Sequence, residues 1–352
     1  MALSDKIKEK ISQEVIRTLV SRFESFPTDA SSNRNAPFHE AFLKAFSDKI
    51  EGRVSDIPYF ISLSSWLQGL NTTLGQTFFE NIAHHLSQGE KREYTSKKPL
   101  GNLRITKSQK DKITQIITDL SNSTKEPNLE YENRAIYYST VEPFIKAGDF
   151  SVDVFIEDEN VITAIELKSV KPNSGEMKGE KSKILEGKAA LSLAFPSKRI
   201  EFFIGFPFDP TVNPEKEART AHNKARFLKS IINMTKYFAA DETLVASELW
   251  DLLSQQSNTM EQILKIINSI ASPEFMEKYQ YINSNENRGT DRYVELLRKW
   301  YLVSEIELIV NDDRICREIS GNKRLTRIYN KHAFDAKAKY NNDRYIELSK
   351  LI

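Results

Sequence analysis

Between Asp149 and Lys168 the chain reads DFSVDVFIEDENVITAIELK, and it brings Asp153, Glu166 and Lys168 within one short stretch. These residue types can hydrolyse a phosphodiester. Two carboxylates bind a hard divalent cation through oxygen, which leaves coordination positions for water and a phosphate. Such a cation polarises the phosphoryl oxygen and acidifies a bound water, and a lysine beside it stabilises the charge that develops. The three groups must then sit on rigid backbone. The apolar alternation supplies it, since 151–157 and 161–168 read as two strands of a hairpin, with Asp153 on the first and Glu166 and Lys168 on the second.

The second strand is apolar on both faces. Ile162 and Ala164 share a face with Glu166 and Lys168, while Val161, Thr163, Ile165 and Leu167 take the other. A strand of this kind is central and covered on both sides. Charged residues at its end are costly unless they are paired or hold a metal. If Glu159 and Asn160 form a two-residue loop, Asp158 faces Val161 and Asp153 faces Glu166. Directly opposed Cβ atoms lie roughly 4.5–5.5 Å apart, where like charges repel unless a cation intervenes. Mg²⁺ is the expected cation, held by Asp153, Glu166 and the backbone carbonyl of Leu167. Lys168 is expected to orient or deprotonate the attacking water and to stabilise the phosphate. Acid-x-Lys also occurs at Glu176/Lys178, Glu186/Lys188 and Asp335/Lys337, but only Glu166/Lys168 ends an apolar strand with an acid on the strand before it. The bland alternative is a solvated edge hairpin with a cross-strand salt bridge.

The elements that must hold this hairpin are read from periodicity. Residues 1–50 look helical, with a polar loop at 26–38, and a further helix runs over 70–86 from about Asn71 or Thr72. The segment 88–112 is loop-like and basic, and 111–120 is helical. A third strand, 200–206, follows a lysine- and glutamate-rich helix at 178–195. Helices are expected over 215–239, 241–255, 259–271 and 291–311, and 314–352 is basic and mixed. The reading is one domain over 1–352: a helical part (1–130), an α/β (α+β) sheet core (131–210) and a helical part (211–352).

Composition sets outer limits. The 352 residues are 39% apolar and 28% charged, enough for a real core. No apolar run is long enough to span a membrane, and the charged, amphipathic N-terminus lacks a signal-peptide centre, so a cytoplasmic location is expected. Cys316 is the single cysteine, which excludes internal disulfides and cysteine-based metal sites. The formal charge of +1 neither advertises nor excludes nucleic-acid binding.

Glu80, beside the apolar face of TFFENIA, is a candidate for a second metal position. His84 and His85 point apart on a helix and make a poor metal pair. No phosphate-cradling glycine motif is present. Glu176, Glu180 and Glu186 interleave with lysines as on a solvated helix face, although Lys181 or Lys183 could meet phosphates beside the scissile bond. Two basic segments could hold a duplex. The first runs from Lys91 to Lys107 and includes Lys97 and Lys98. The second runs from Arg314 to Lys339 and includes Arg324 and Arg327.

Asp153 with Glu166-Leu167-Lys168 resembles the PD-(D/E)xK nuclease motif, with Val152 where a proline usually stands. Four longer blocks are more specific: 66–97 (WLQGLNTTLGQTFFENIAHHLSQGEKREYTSK), 165–191, 205–210 (GFPFDP) and 248–279. They resemble the TdeIII-type family of type II restriction endonucleases from about residue 60 to about residue 310. The resemblance implies a restriction-endonuclease-like core, a small mixed sheet flanked by helices. It implies Mg²⁺-dependent cleavage of double-stranded DNA at a short palindrome, with GGNCC, the namesake's association, as the expected sequence. It also implies a homodimer and a DNA methyltransferase of the same specificity. A repair or recombination nuclease and a non-catalytic DNA-binding protein are the alternatives.

Overall fold

The computed structural model describes residues 2–28, 43, 56–137, 143–168 and 176–352. It divides into two compact units, 1–3 with 79–263 and 4–78 with 264–352. The first unit runs α1 (Phe79–Ser87), β1 (Glu90–Tyr94), β2 (Arg104–Thr106), α2 (Lys107–Ser121), α3 (Leu129–Tyr137), β3 (Phe144–Lys146), β4 (Phe150–Glu157), β5 (Val161–Leu167), α4 (Glu176–Ala194), β6 (Arg199–Phe206), α5 (Lys224–Ser230), α6 (Met234–Tyr237), β7 (Thr243–Val245) and α7 (Ser247–Ser254).

Its five-stranded mixed sheet has the order β1-β4-β5-β6-β7, flanked by helices, which is the expected fold class. The first two pairings are antiparallel and the last two parallel. β5 is the central strand, and Ile162, Ala164 and Ile165 are fully buried. Its apolar pattern on both faces is what that position demands. The two-residue loop is present: the Asp158 amide donates to the Val161 carbonyl at 2.9 Å, and Val154 pairs with Ile165 and Glu157 with Ile162. α4 carries the chain from β5 across to the parallel β6, the connection such a pair requires. Gly187 lets α4 sit close on the sheet, because a Cβ there would come within 2.8 Å of the Phe202 ring and 3.2 Å of Phe150.

Several local expectations are corrected. The segment 88–112 is not simply a loop, since β1 and β2 lie in it. EKREY shows no apolar alternation because β1 is an edge strand, where charged side chains are the rule. The stretch 215–239 is helical only in α5 and α6. Asn223 caps α5 by accepting from the Arg226 amide, and Asn233, at φ 62°, interrupts the chain before α6. Residues 243–245 of the expected helix at 241–255 instead form β7 beside β6. The helix expected at 291–311 breaks between Asp291–Lys299 and Val303–Val310, where Tyr301 takes φ 57°. Of the stretch 1–50 expected to be helical around a polar loop, residues 29–42 and 44–50 lie outside the described residues.

The second unit is helical. It begins with Asp5–Glu24 and Ile57–Thr73, the latter followed by a π-helical turn, Leu74–Phe78, that leads into α1. Helix therefore begins well before the expected start near Asn71. Phe275 stacks on Trp300 at 5.6 Å between centroids, in a core that includes Tyr293 and Phe334. Buried Glu305 accepts from Arg344 at 2.6 Å and from the Tyr340 hydroxyl at 2.7 Å, so the charge is paired where water is excluded. Among the described residues no helix is long and apolar enough to cross a membrane.

Candidate active site

Asp153 and Glu166 come from neighbouring antiparallel strands at one end of the central pair. The β4–β5 ladder is regular through Val154 and Ile165, and its next step sets Asp153 opposite Glu166. At that step a side chain replaces backbone pairing, because the Leu167 amide donates to Asp153 Oδ2 at 2.9 Å. Both carboxylates are buried, at 7% and 5% exposure. Lys168 follows directly, anchored by its amide donating to the Gly205 carbonyl at 2.9 Å.

On its other side β4 is irregular. Glu90 pairs with Phe155 but Arg92 pairs with Val152, so two steps on β1 match three on β4. Asp153 and Val154 together stand against Lys91. Bulges of this type re-aim side chains and gather beside active sites. The Lys91 ammonium lies 3.0 Å from Asp153 Oδ1 and 3.1 Å from each carboxylate oxygen of Glu80, on α1. His84, one turn further along α1, contacts the Asp153 carbonyl through Nε2 at 2.7 Å and ties that helix to the strand.

α4 closes the site from the other direction. Lys183 donates to Glu166 Oε1 at 2.6 Å and lies 3.0 Å from Glu180. Lys168 lies 3.2 Å from Glu166, 2.9 Å from Glu180 and 3.4 Å from Glu176. Lys91, Lys168 and Lys183 thus face Glu80, Asp153, Glu166, Glu176 and Glu180, and negative charge predominates. Burial, and then the Asp153 charge, push the Glu166 carboxyl above its usual range. The same two causes raise Glu80. Burial works against the Lys168 ammonium, but Glu166 and Glu180 outweigh it and hold its pKa above the ordinary lysine value.

Among the described residues no three His, Cys, Asp or Glu side chains are grouped to hold a metal ion. Lysine ammonium groups stand between the carboxylates instead. The donor set nevertheless fits a divalent cation, because Glu166 Oε2 is a buried acceptor without a hydrogen-bond partner.

The remaining candidates separate. Glu80 joins Asp153 through Lys91, and Lys183 joins Glu166. Lys181 does not join them. It is fully buried, 2.5 Å from Glu132 and 2.6 Å from Glu242, with its ammonium over the Phe238 ring. Lys181 is a core cation rather than a phosphate contact, because its side chain has no exposed surface. Lys97 and Lys98 are exposed after β1, with Lys98 2.8 Å from Glu93. Arg324 and Arg327 are exposed in the second unit, on the helix Lys323–Tyr329, where Arg324 pairs with Glu347 at 2.7 Å. Arg327 lines a shallow cavity of about 670 Å³ with Gly321, Lys323, Thr326, Asn330 and Lys331.

Sequence reasoning missed Lys91, Glu176 and Glu180 as parts of the site. For the α4 pair a signal existed: 176, 180, 183 and 187 form one stripe, and Gly187 marks the face that meets the sheet. Lys91 carries no such signal, because its position depends on the pairing of strands far apart in sequence.

A family model described as type II restriction endonuclease, HinfI, matches residues 3–271. The type II restriction enzyme MjaII of Methanocaldococcus jannaschii is 42% identical over 371 aligned residues, which cover 100% of this chain and 98% of MjaII. A type II restriction endonuclease, the function expected from the sequence, is therefore established at that level, and neither a repair nuclease nor a non-catalytic binder is needed. The matching model is HinfI, whereas the long blocks resemble the TdeIII type. The enzyme acts on double-stranded DNA, and the chain belongs to the HinfI family of type II restriction endonucleases.

Proposed function

We propose that this restriction enzyme hydrolyses DNA at a short palindrome, with Mg²⁺ held by Asp153, Glu166 and the Leu167 carbonyl in a PD-(D/E)xK arrangement. Glu80 contributes to a second position. The observation that carries the reading is the ladder step that sets buried Asp153 against Glu166, with Lys168 packed on Glu166. The bound cation would supply Lewis acidity and an acidified water. Lys168 supplies fixed positive charge. An ammonium held by Glu166 and Glu180 donates and stabilises rather than accepts a proton, which favours its orienting role over the expected deprotonating one. Lys183 orients Glu166. Exposed Lys97, Lys98, Arg324 and Arg327 contact phosphates.

A palindromic target favours a two-fold dimer in which each subunit cuts one strand. GGNCC is the proposed sequence, on the TdeIII-type resemblance, and a methyltransferase of the same specificity is the proposed functional partner in the cytoplasm. One domain over 1–352 stays part of the reading, supported by the MjaII alignment, which covers 100% of this chain, whereas the family match ends at residue 271. The test is digestion of phage DNA by the pure protein with Mg²⁺, followed by sequencing of the ends. Discrete bands whose ends map to GGNCC sites are expected. No cleavage with Mg²⁺ or Mn²⁺ would reject the mechanism, and other ends would reject only the sequence.

The proposed phosphate contacts have their own consequence. Each contact removed, as in Arg324→Ala or Arg327→Ala, is expected to lower the slope of log affinity against log salt by about 0.9. Affinity should fall uniformly across sequences, because phosphates carry no base information. Titration of several duplexes at several salt concentrations checks this, and a loss confined to one sequence would assign the arginine to base reading instead.

A further inference from the structure

The ammonium that most directly blocks a cation from Asp153 is Lys91. It bridges Asp153 Oδ1 at 3.0 Å and both Glu80 oxygens at 3.1 Å, and the β4 bulge sets Asp153 and Val154 against it. A cation between two carboxylates does electrostatically what a metal there would do. It is also bound to the chain, so it is always present at high effective concentration. Its side chain is 39% exposed on an edge strand, so its ammonium has solvent to move into. Lys183, by contrast, comes from the sheet-facing stripe of α4.

We infer that Lys91 is a displaceable internal cation that holds Asp153 and Glu80 until a divalent metal replaces it. The inference rests on the metal reading above and adds a competitor to it. Metal binding then proceeds only from the fraction of molecules in which Lys91 has left, and apparent affinity is reduced by that fraction. The displaced ammonium remains beside the site, where a DNA phosphate is the natural acceptor for it. Metal loading and DNA engagement would thereby favour each other. The Arg92–Tyr94 register, continued one step, sets Lys91 against Asp153, and the shift between Glu90 and Arg92 adds Val154 to the same position.

The test is Mn²⁺ binding to the full chain without DNA, followed by calorimetric titration and by the rise in melting temperature at fixed Mn²⁺. Lys91→Gln and Lys91→Met are compared, because one keeps hydrogen bonding to the carboxylates and the other keeps only shape. Both are expected to bind Mn²⁺ roughly tenfold more tightly than the unsubstituted chain, as for an open fraction of about one in ten. Both should also gain more in melting temperature from Mn²⁺. Asp153→Asn separates the two ways of failing. If Asp153→Asn weakens Mn²⁺ binding and neither Lys91 variant strengthens it, the displacement inference falls and the metal site stands. If Asp153→Asn leaves Mn²⁺ binding unchanged, the metal reading falls and the inference falls with it.

Discussion

Lys168→Ala is expected to lower DNA cleavage by about 10²–10⁴-fold, the range for losing a positioned group that orients a nucleophile or stabilises developing charge. The side chain is aimed by its own backbone, since its amide is held by the Gly205 carbonyl of β6 and its ammonium is fixed by Glu166 and Glu180. Alanine removes the charge without disturbing that backbone. DNA binding should persist, because the phosphate contacts proposed for Lys97, Lys98, Arg324 and Arg327 lie on other segments. Single-turnover cleavage measured beside binding separates the two effects. Lys178→Ala, at an exposed position on α4 in one of the other acid-x-Lys pairs, is the matched control and should cut normally. Near-normal cutting by Lys168→Ala would remove the lysine from the mechanism, and loss of binding would recast it as a DNA anchor.

The second large effect is on stability. Lys181→Ala is expected to destabilise the protein by about 3–5 kcal/mol, the cost of stranding buried charge when one partner of a buried pair is removed. Lys181 neutralises Glu132 and Glu242, both about as buried as itself. The neighbouring Lys188 compensates poorly: it lies 3.8 Å from Glu242, and burial pushes its pKa down to about 8. Adding Glu132→Gln to Lys181→Met should recover part of the loss, since the orphaned carboxylate goes with its partner. Urea unfolding midpoints measure both. A loss within experimental scatter for Lys181→Ala, with a reduced salt slope of DNA binding, would restore Lys181 as a phosphate contact.

What was legible in the sequence was local. The two-residue loop at Glu159–Asn160 and the apolar pattern of β5 sufficed to place Asp153 against Glu166. Register follows from turn length, and burial of Ile162 and Ala164 on one face and Ile165 on the other marks β5 as the central strand. The long blocks carried the enzyme class. Only the tertiary structure decided which charges meet. Lys181 and Lys183, two residues apart, go to a buried ion cluster and to the candidate site because α4 turns them to different sides. β1 becomes a strand by pairing on β4, although EKREY does not ask for it, and the three-residue β7 is fixed as a strand by pairing on β6. Lys91 reaches Asp153 through the pairing of β1 with β4, segments some sixty residues apart. Charge pairing depends on distances of a few ångströms between such segments, and local periodicity carries no information about those distances.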